Sequence, residues 1–353
     1  MIVKKILSLV ASNIKLFIIV ILLFSLNSKA EEANIKYYSE DKGILSLMYH
    51  RFDENKYPST NIQMDVFKQQ IQIIKKFQYN FYDPKNLEQN FYDPKIEKKI
   101  LITIDDAFSS FYENAWPYLK AEKIPFILFI STEAVGKNGY MTWDQIIELE
   151  KENIAYVGNH SHSHNYLVDL KNNDFINDIE ISSSIFKKKL GYNPIFFSYP
   201  FGEYSLAIKK YISKNFKFSF GQQSGVIDVS KDKYELPRFP INEKYGDLKR
   251  FEFLINLSPL QYKVLYPKDK YLINNNPPKF KVEFFDQQKN IENINCFSDE
   301  GNGWQKSNIN LSHKTLKLDF REKFNFRRGR INCSLNDDGV WKWFGVQFSV
   351  KQN

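Results

Sequence analysis

The sequence predicts an α/β fold: an irregular (β/α) barrel over residues 31–258, followed by a small all-β, sandwich-like domain over residues 259–353. Up to about residue 255, short apolar runs alternate with amphipathic helical segments, which is typical of a parallel sheet covered by helices. Beyond about residue 260 the helical periodicity fades, and strand-like runs separated by turn-rich pieces take its place. A chain of 353 residues suits about two domains.

The predicted barrel strands are short runs rich in β-branched and aromatic residues. They are Ile44 to Tyr49, Ile100 to Ile104, Pro125 to Ile130, Ile154 to Val157, Ile195 to Tyr199 and Phe216 to Phe220. Strand–helix units repeated in this number fit a barrel better than a flat sheet.

Four helical segments lie between these runs and provide the covering layer that a parallel sheet needs. The helix that begins at Asp174 is the best marked, because Gly191 stands at the position of a C′ glycine and Pro194 follows just beyond it. The others are Met64 to Phe77, Phe108 to Lys120 and Trp143 to Lys151.

The predicted C-terminal β domain has four clear strand-like runs: Lys279 to Phe285, Thr315 to Phe320, Gly329 to Leu335 and Val340 to Val350. The chain's two cysteines, Cys296 and Cys333, lie in this part, and in an exported protein such a pair favours a disulfide. Trp304, Trp341 and Trp343 could form a sugar-stacking surface, but core or hairpin packing is the commoner use of tryptophan, so both interpretations stay open.

The amino terminus carries the pattern of a secretory signal peptide over residues 1–30. Lysines precede the apolar run Leu16 to Leu26, and small residues stand at positions −3 and −1 of a predicted cleavage after Ala30. An uncleaved membrane anchor is the alternative, although the run is short for a span of ~20 residues. The sequence therefore predicts an exported protein, periplasmic or secreted, that meets the membrane only during export.

The formal net charge of +8 does not indicate nucleic-acid binding. Residues 1–30 contain four lysines and no acid, and the basic clusters further along are interspersed with acidic residues. Because nucleic-acid recognition needs a concentrated basic face, we expect a solvated surface of mixed charge and no nucleic-acid partner.

Polar and titratable residues follow the apolar runs at the points where the predicted strands end. The first run leads into His50, the second into Asp105-Asp106, the fourth into the stretch His160 to His164, and the fifth into Pro200-Phe201-Gly202. In a parallel barrel the functional residues lie at the carboxyl ends of the strands. The sequence therefore predicts that these residues meet on one rim.

The neighbouring carboxylates of Asp105 and Asp106 suit a metal site with an adjacent base. Two such groups repel each other when both are ionised in a dry site. A divalent cation bound by one of them removes the conflict and leaves the other available as a base. Taken alone, the pair is better explained as a helix N-cap before the predicted helix Phe108 to Lys120.

His160 and His164 are four residues apart with small serines between them, so both imidazoles can reach one ion from a tight loop. Imidazole and carboxylate together are typical ligands of zinc or another late first-row metal. With Asp106 they make three protein ligands, which leaves positions for water and substrate. A polar surface loop is the alternative interpretation, but three of the five histidines lie in this stretch.

The first two motifs resemble those of the polysaccharide deacetylase family, carbohydrate esterase family four, which includes chitooligosaccharide, peptidoglycan and poly-N-acetylglucosamine deacetylases. Thr103 to Phe108 (TIDDAF) is similar to the first motif, which implies Asp105 as the catalytic base and Asp106 as a metal ligand. His160 to His164 (HSHSH) is similar to the second motif, whose two end histidines bind the metal. The resemblance covers about residues 43–245 and implies the barrel fold of that family.

The third motif of the family lines the sugar groove, and Tyr199 to Gly202 (YPFG) resembles it. The resemblance implies Tyr199, Pro200 and Phe201 as substrate-binding residues. It also implies that the backbone N–H of Phe201 stabilises the oxyanion.

Two positions depart from the family pattern. The third motif often begins with an arginine that orients the base, but Ser198 stands there, and Arg238 is the substitute that the sequence offers. The late Leu-x-His that supplies the general acid has no match after Arg238 within the barrel. His50, at the end of the first run, resembles the early acid histidine of the circularly ordered branch that includes the poly-N-acetylglucosamine deacetylases.

The resemblance implies a metal-dependent hydrolase that removes N-acetyl groups from an N-acetylhexosamine-containing polysaccharide or oligosaccharide and releases acetate. It implies a divalent metal, zinc first, with cobalt, nickel, manganese and iron as alternatives. Two other functions stay open: an O-acetyl polysaccharide esterase, because ester and amide differ only at the leaving atom, and a non-catalytic carbohydrate-binding protein on the same scaffold.

Overall fold

The computed structural model describes residues 43–94, 97–171 and 173–352. The predicted signal peptide and its cleavage site therefore lie outside the described residues. All described residues belong to one compact unit. Within them, no helix combines the length and the apolar character needed to cross a bilayer.

A curled and mostly parallel sheet forms the first part of the fold. The strands of this part are β1 (Ile44–Tyr49), β2 (Arg51–Phe52), β3 (Asn61–Ile62), β4 (Asn80–Phe81), β5 (Lys99–Asp105), β6 (Phe126–Ile130), β7 (Ala155–Asn159), β8 (Phe196–Ser198), β9 (Phe218–Phe220), β10 (Val226–Ile227) and β11 (Phe239–Pro240). The sheet order is β10–β1–β5–β6–β7–β8–β9, with β4 beside β5 and β11 beside β1, while β2 and β3 pair separately. The β1–β10 pairing is antiparallel, and the others are parallel.

A short segment closes the curled sheet into the predicted irregular barrel. Leu236 pairs in parallel with Phe220 at the end of β9, and β11 pairs in parallel with β1. The segment between these pairings therefore joins the last strand to the first. Arg238 lies in this segment with its side chain fully buried, which places a guanidinium inside the barrel.

Alternation along β5 decides which of its side chains face the barrel interior. Its isoleucines pack in the core between the sheet and the helices. Leu101 belongs to the separate interior core. Since side chains of a strand alternate between the two faces, Asp105 shares the interior face with Leu101. The strand thus delivers its last carboxylate to the inside of the barrel.

The helices pack around this sheet: α1 (Met64–Lys76), α2 (Leu87–Tyr92), α3 (Trp116–Glu122), α4 (Trp143–Glu150), α5 (Asp174–Leu190), α6 (Leu206–Asn215) and α7 (Leu248–Ile255). Helix α5 begins at Asp174 as predicted, and Gly191 ends it in the left-handed region at φ 86°. Helix α4 begins with a reciprocal capping box between Thr142 and Gln145.

The predicted helix over Phe108 to Lys120 is present, with an irregularity in its first half. Asp106 and Ala107 have φ values of 74° and 53°, so the chain turns sharply between β5 and this helix. Residues 109–110 are α-helical, a π-helical turn follows at Phe111–Ala115, and α3 continues the helix from Trp116. Pro117 lies at the end of the π-helical turn, where its ring nitrogen cannot donate a helical hydrogen bond.

Two further sheets form the C-terminal part. Their strands are β12 (Ser258–Pro259), β13 (Tyr262–Tyr266), β14 (Tyr271–Leu272), β15 (Lys281–Phe284), β16 (Asn295–Asp299), β17 (Gln305–Lys306), β18 (Asn308–Ser312), β19 (Thr315–Asp319), β20 (Arg328–Asp337) and β21 (Val340–Val350). One sheet runs β12–β21–β20–β16–β17 with β14 beside β21, and the other runs β13–β15–β19–β18. Both sheets contribute to one shared apolar core.

The predicted disulfide is present within these sheets. Cys296 on β16 and Cys333 on β20 stand directly opposite each other and form a disulfide with no free cysteine left. The sheets belong to the same compact unit as the barrel. Strand β12, which directly follows the barrel in the chain, pairs with the C-terminal strand β21. The predicted C-terminal β strands are therefore present as two sheets. That they form a separate domain, with a boundary between residues 258 and 259, stays a prediction.

Candidate active site

Asp106, His160 and His164 come together at the carboxyl ends of β5 and β7. One ligand atom from each residue lies within 4.8 Å of the others. Asp106 Oδ1 is 3.6 Å from His160 Nε2 and 3.3 Å from His164 Nε2. The three residues predicted as metal ligands from the sequence thus meet at one point on the rim. We refer to Asp106, His160 and His164 together as the metal-ligand cluster.

The tautomer and the protonation of His160 are those that a metal ligand needs. Its Nδ1 lies 2.7 Å from the carbonyl oxygen of Ser198, which can only accept, so the ring proton belongs on Nδ1. Burial lowers the pKa of His160 to about 4, so the imidazole is neutral at pH 7. Its Nε2 faces Asp106 and is buried without a hydrogen-bond partner among the described residues. A buried, unpartnered lone pair beside a carboxylate and a second imidazole suits a divalent metal.

The loop that carries the two histidines is held by hydrogen bonds to its backbone. Ser161 and His164 adopt left-handed φ values of 69° and 55°. Ser161 Oγ accepts from the N–H of His164 at 3.0 Å. Asp178 in α5 accepts from the N–H groups of His162 and Ser163 at 2.7 and 3.1 Å. These bonds fix a strained turn, which is a common property of functional loops.

Asp105 lies behind the metal-ligand cluster in a buried ion pair with Arg238. The two guanidinium nitrogens of Arg238 donate to the two carboxylate oxygens of Asp105 at 2.6 and 2.9 Å, and neither side chain is exposed. Arg238 also donates to the Ser198 hydroxyl at 2.8 Å, so its guanidinium lies between Asp105 and Ser198.

The charge of Asp105 follows from its neighbours. Burial raises the pKa of Asp105, but the positive charge of Arg238, together with His160 and His50, outweighs burial and lowers it to about 2. The carboxylate is therefore ionised throughout the neutral range. Its Oδ2 faces two imidazoles, at 3.9 Å from His160 Nε2 and 4.0 Å from His50 Nε2.

His50 follows β1, the neighbour of β5 in the sheet, and so reaches the same rim. Its side chain is 14% exposed and lines the cleft above the metal-ligand cluster. Because β1 and β5 are neighbouring parallel strands, His50 and Asp105 lie side by side at their carboxyl ends.

Of the three residues expected to line the sugar groove, only Phe201 does so. The Tyr199 side chain is fully buried, and its hydroxyl donates to the carbonyl of Tyr234 at 3.2 Å. Pro200 is also buried and does not line the cleft. The Tyr199 side chain packs in the core against α6, and the role of Tyr199 and Pro200 in substrate binding stays a prediction.

Phe201 stands at a sharp turn beside the metal-ligand cluster. Its φ is 59°, a left-handed value that few residues adopt without support. Its ring lies 4.6 Å from the His164 ring and stacks on Tyr166 at 4.0 Å. Gln347 on β21 donates to the carbonyl oxygens of Phe201 and Gly202 at 3.0 and 3.3 Å, which holds the turn from the opposite side.

A cleft of about 830 Å³ opens over these residues, and the C-terminal sheets form its far wall. Trp304 and Trp343 line this cleft together with His50, Asp106 and His164. Trp341 does not line it and packs on the ring of Phe253 at 5.8 Å. The far wall also includes residues that no sequence pattern had marked: Phe297, Arg328, Arg330, Asn332 and Gln347.

Residues 92–218 match the family model described as polysaccharide deacetylase. A poly-beta-1,6-N-acetyl-D-glucosamine N-deacetylase of Staphylococcus epidermidis is 24% identical over 246 residues, which are 62% of this chain and 85% of that protein. A protein of the same name from Staphylococcus aureus is 25% identical over 198 residues, which are 52% of this chain and 68% of that protein. The family-model match includes Asp105, Asp106, His160 and His164.

Solved structures resemble the barrel as well. A Streptococcus pyogenes deacetylase, PplD, in complex with acetate has a TM-score of 0.55 at 22% identity and covers 60% of this chain and 98% of its own. IcaB from Ammonifex degensii has a TM-score of 0.54 at 24% identity and covers 60% of this chain and 97% of its own. These structures show the fold, and the motif residues lie together on its rim. Over residues 92–218 the chain resembles the polysaccharide deacetylase family, and it is an enzyme of the deacetylase class.

Proposed function

We propose that this chain is a metal-dependent hydrolase that removes N-acetyl groups from an N-acetylhexosamine-containing polysaccharide and releases acetate. One observation carries the proposal: a possible metal site of Asp106, His160 and His164 lies directly beside a buried, ionised Asp105 at the floor of an open cleft. The names of the Staphylococcus relatives support the choice of an N-acetylated sugar polymer.

Asp106, His160 and His164 would hold the cation, and zinc is the metal that two imidazoles and a carboxylate favour first. When bound, a divalent cation supplies Lewis-acid chemistry at the acetyl carbonyl. The chain contributes the neutral state of His160 by burying it and by fixing its proton on Nδ1. No proton therefore has to leave His160 before a ligand bond forms.

Asp105 is the proposed general base. It is ionised at neutral pH, and the bidentate contact with Arg238 leaves its Oδ2 directed towards His50 and His160. A base must lie within hydrogen-bond reach of the proton that it takes, and Oδ2 lies 3.9 Å from His160 Nε2, next to the possible metal site. Arg238 is a positioning residue, since it orients the carboxylate without lining the cleft.

His50 is the proposed general acid. Its Nε2 lies 4.0 Å from Asp105 Oδ2 and faces the cleft, so it can give a proton to the nitrogen of the departing amino sugar. The N–H of Phe201 is the proposed donor to the developing oxyanion, because the left-handed turn at that residue is held from both sides. The C–N bond of the acetamide then breaks, and acetate and a free amine leave.

Export and a separate role for residues 259–353 are further parts of the proposal. The residue pattern of positions 1–30 supports export, and the disulfide between Cys296 and Cys333 suits an oxidising compartment. Whether the mature protein stays in the periplasm or is secreted would follow from fractionation of cells that express it.

The experiment that tests the function is acetate release by the purified chain from a panel of N-acetylated oligosaccharides, neutral and acidic. Each substrate is incubated with the protein as purified, with a chelator, and with zinc or cobalt restored after chelation. We expect release that the chelator abolishes and the metal restores. Tight metal binding without release from any N-acetylated substrate, but with release from O-acetylated sugars, would replace the proposal with an esterase.

A further inference from the structure

The long strand β20 presents two different faces. Ile331, Cys333 and Leu335 belong to the shared core of the two C-terminal sheets. The alternate residues Arg328, Arg330 and Asn332 therefore point the other way, and all three line the active-site cleft. Strand β20 therefore directs two arginine side chains into the active-site cleft.

Neighbouring strands complete the same face. On β21, Gly345 stands opposite Asn332, and a side chain at Gly345 would collide with the Ser224 carbonyl of the barrel at 2.2 Å. Because these backbones approach closely, β20 and β21 pack directly against the barrel loop that contains Ser224. The arginines therefore form a fixed wall of the cleft that contains Asp106 and His164.

The charge of the cleft is strongly unbalanced. Four cationic side chains line it, whereas Asp106, a proposed metal ligand, is its one lining carboxylate among the described residues. The cations are Lys244, Arg250, Arg328 and Arg330. Of the four, Arg328 alone forms an ion pair with a described residue, at 2.8 Å from Glu203, and it shares that carboxylate with Arg327.

Arg330 is a partly buried cation of this wall. Its Nε donates to Gln347 at 3.4 Å, and among the described residues it has no carboxylate within ion-pair distance. Asp299 stands opposite it in the sheet, but that carboxylate accepts from the N–H groups of Gly301 and Gly303. Burial and the neighbouring charge of Arg328 lower the pKa of Arg330, and the charges of Asp299 and Glu203 oppose this effect only in part.

The position of Arg328 relates this wall to the reacting centre. Its guanidinium lies 5.4 Å from the ring centre of Phe201, and the ring of Phe201 in turn contacts His164 at 4.6 Å. One aromatic ring therefore separates the first arginine from a proposed metal ligand. This places the cationic wall beside the acetylated sugar and outside the space of the acetyl group itself.

Resting on the proposed function, we propose that the β20 wall selects an acidic polymer: Arg328 and Arg330 bind a carboxylate or phosphate on a sugar next to the acetylated one. Guanidinium groups are the preferred donors to both anions because they form paired, charge-assisted hydrogen bonds. An unbranched polymer of N-acetylglucosamine carries no such group, so this chain would differ in substrate from the relatives named above.

The test measures binding without turnover. Hexamers of β-1,4-glucose and of β-1,4-glucuronate carry no N-acetyl group and differ at C6 only, a hydroxymethyl or a carboxylate. A 6-phosphorylated glucose hexamer is the third ligand and distinguishes phosphate from carboxylate. Dissociation constants are measured by calorimetry with the mature, metal-loaded protein and with three variants, at low and at high salt. The variants are Arg330→Gln, Lys244→Gln and, as a charge-matched control on the exposed face of β19, Lys317→Gln.

We expect an acidic hexamer to bind about tenfold or more tightly than the glucose hexamer at low salt, with the difference shrinking at high salt. Arg330→Gln should remove about tenfold of that affinity and leave the glucose hexamer unchanged. Lys244→Gln, on an exposed loop where folding is not at risk, should remove a smaller part, and Lys317→Gln none.

Equal affinity for all hexamers, undetectable binding of both acidic ones, or an equal loss on neutral and acidic ligands in Arg330→Gln would overturn the inference. The result is separable from the proposed function. Acetate release without an acidic preference would refute the inference alone, and acidic binding without acetate release from any substrate would refute the proposed function alone.

Discussion

The two walls of the cleft place their polar groups by different rules. At the rim of the barrel, Asp105 and His160 follow the ends of parallel strands and are fully buried. On the far wall, Arg328 and Arg330 lie along the face of an antiparallel strand and are partly exposed. At the rim, left-handed backbone turns and a buried ion pair hold a few side-chain atoms in fixed positions. On the far wall, the charged side chains are spread over a wider surface. Loss of a rim residue should therefore cost more than loss of a wall residue.

The largest effect is expected from the metal-ligand cluster. His164→Ala removes one of three ligand atoms that lie within 4.8 Å of each other, so both the bound metal and acetate release should be lost. Metal content by atomic spectroscopy and acetate release measure the two properties on one sample. His162→Ala is the matched control, because the His162 ring contacts Thr132 and lies outside the cluster. Full metal retention by His164→Ala would refute the ligand assignment.

The next largest effect is expected at the buried ion pair. Arg238→Gln leaves the fully buried Asp105 without its guanidinium and should lower the free energy of unfolding by about 3–5 kcal/mol. Chemical denaturation measures this loss. Arg321→Gln, on the C-terminal sheets with a partly exposed guanidinium, should cost less and serves as the control. Equal losses in the two variants would mean that the rim is not the more constrained region.

The same ion pair predicts a pH dependence. The pKa of Asp105 is about 2 in the folded protein and about 4 in an unfolded chain, so the folded state favours the ionised form. The stability from this group is present above pH 4 and is lost as the pH falls towards 2. Arg238→Gln should weaken that acid-dependent loss, which a series of denaturation curves between these pH values would show. An unchanged acid profile would contradict the assigned cause.

Loss of the disulfide should act on the far wall alone. The crosslink between Cys296 and Cys333 spans 37 residues, for which chain entropy gives about 4 kcal/mol of stability. The double substitution Cys296→Ser with Cys333→Ser should lower the melting temperature while metal content stays unchanged. Loss of metal in this variant would show that the two walls depend on each other for folding.

The smallest of these effects is expected where the walls touch. Gln347→Ala removes the two hydrogen bonds that β21 gives to the Phe201 turn, so kcat should fall by about tenfold with metal binding intact. Asn336→Ala, at the exposed end of β20, is a control that leaves the contact unchanged. An unchanged kcat in Gln347→Ala would mean that the barrel alone positions Phe201.

The sequence predicts the rim well for a physical reason. Parallel strands bring their carboxyl ends to one edge, so apolar runs followed by His50, Asp105 and His160 indicate a common site without knowledge of the packing. The six barrel strands lie where the apolar runs predict them, apart from end residues. The helix after β5 also lies where the sequence predicts it, but its π-helical turn at Phe111–Ala115 has no signal in the apolar periodicity.

The far wall could not be predicted in the same way. Alternation on β20 shows that Arg328 and Arg330 share a face, but only tertiary packing decides that this face covers the cleft. Asp178 and Gln347 likewise hold site loops from elements remote in the chain, and no local pattern marks them. The motif likewise fixes the place of Tyr199 in the chain but not the direction of its side chain, which is buried.

The central claim is that Asp105 removes a proton while its neighbours hold a metal. Asp105→Asn tests it most directly, with metal content and acetate release measured on the same preparation. We predict that metal content stays at the level of the unmodified protein while acetate release falls by about 100-fold or more. Acetate release near the original rate with the metal retained would contradict the account.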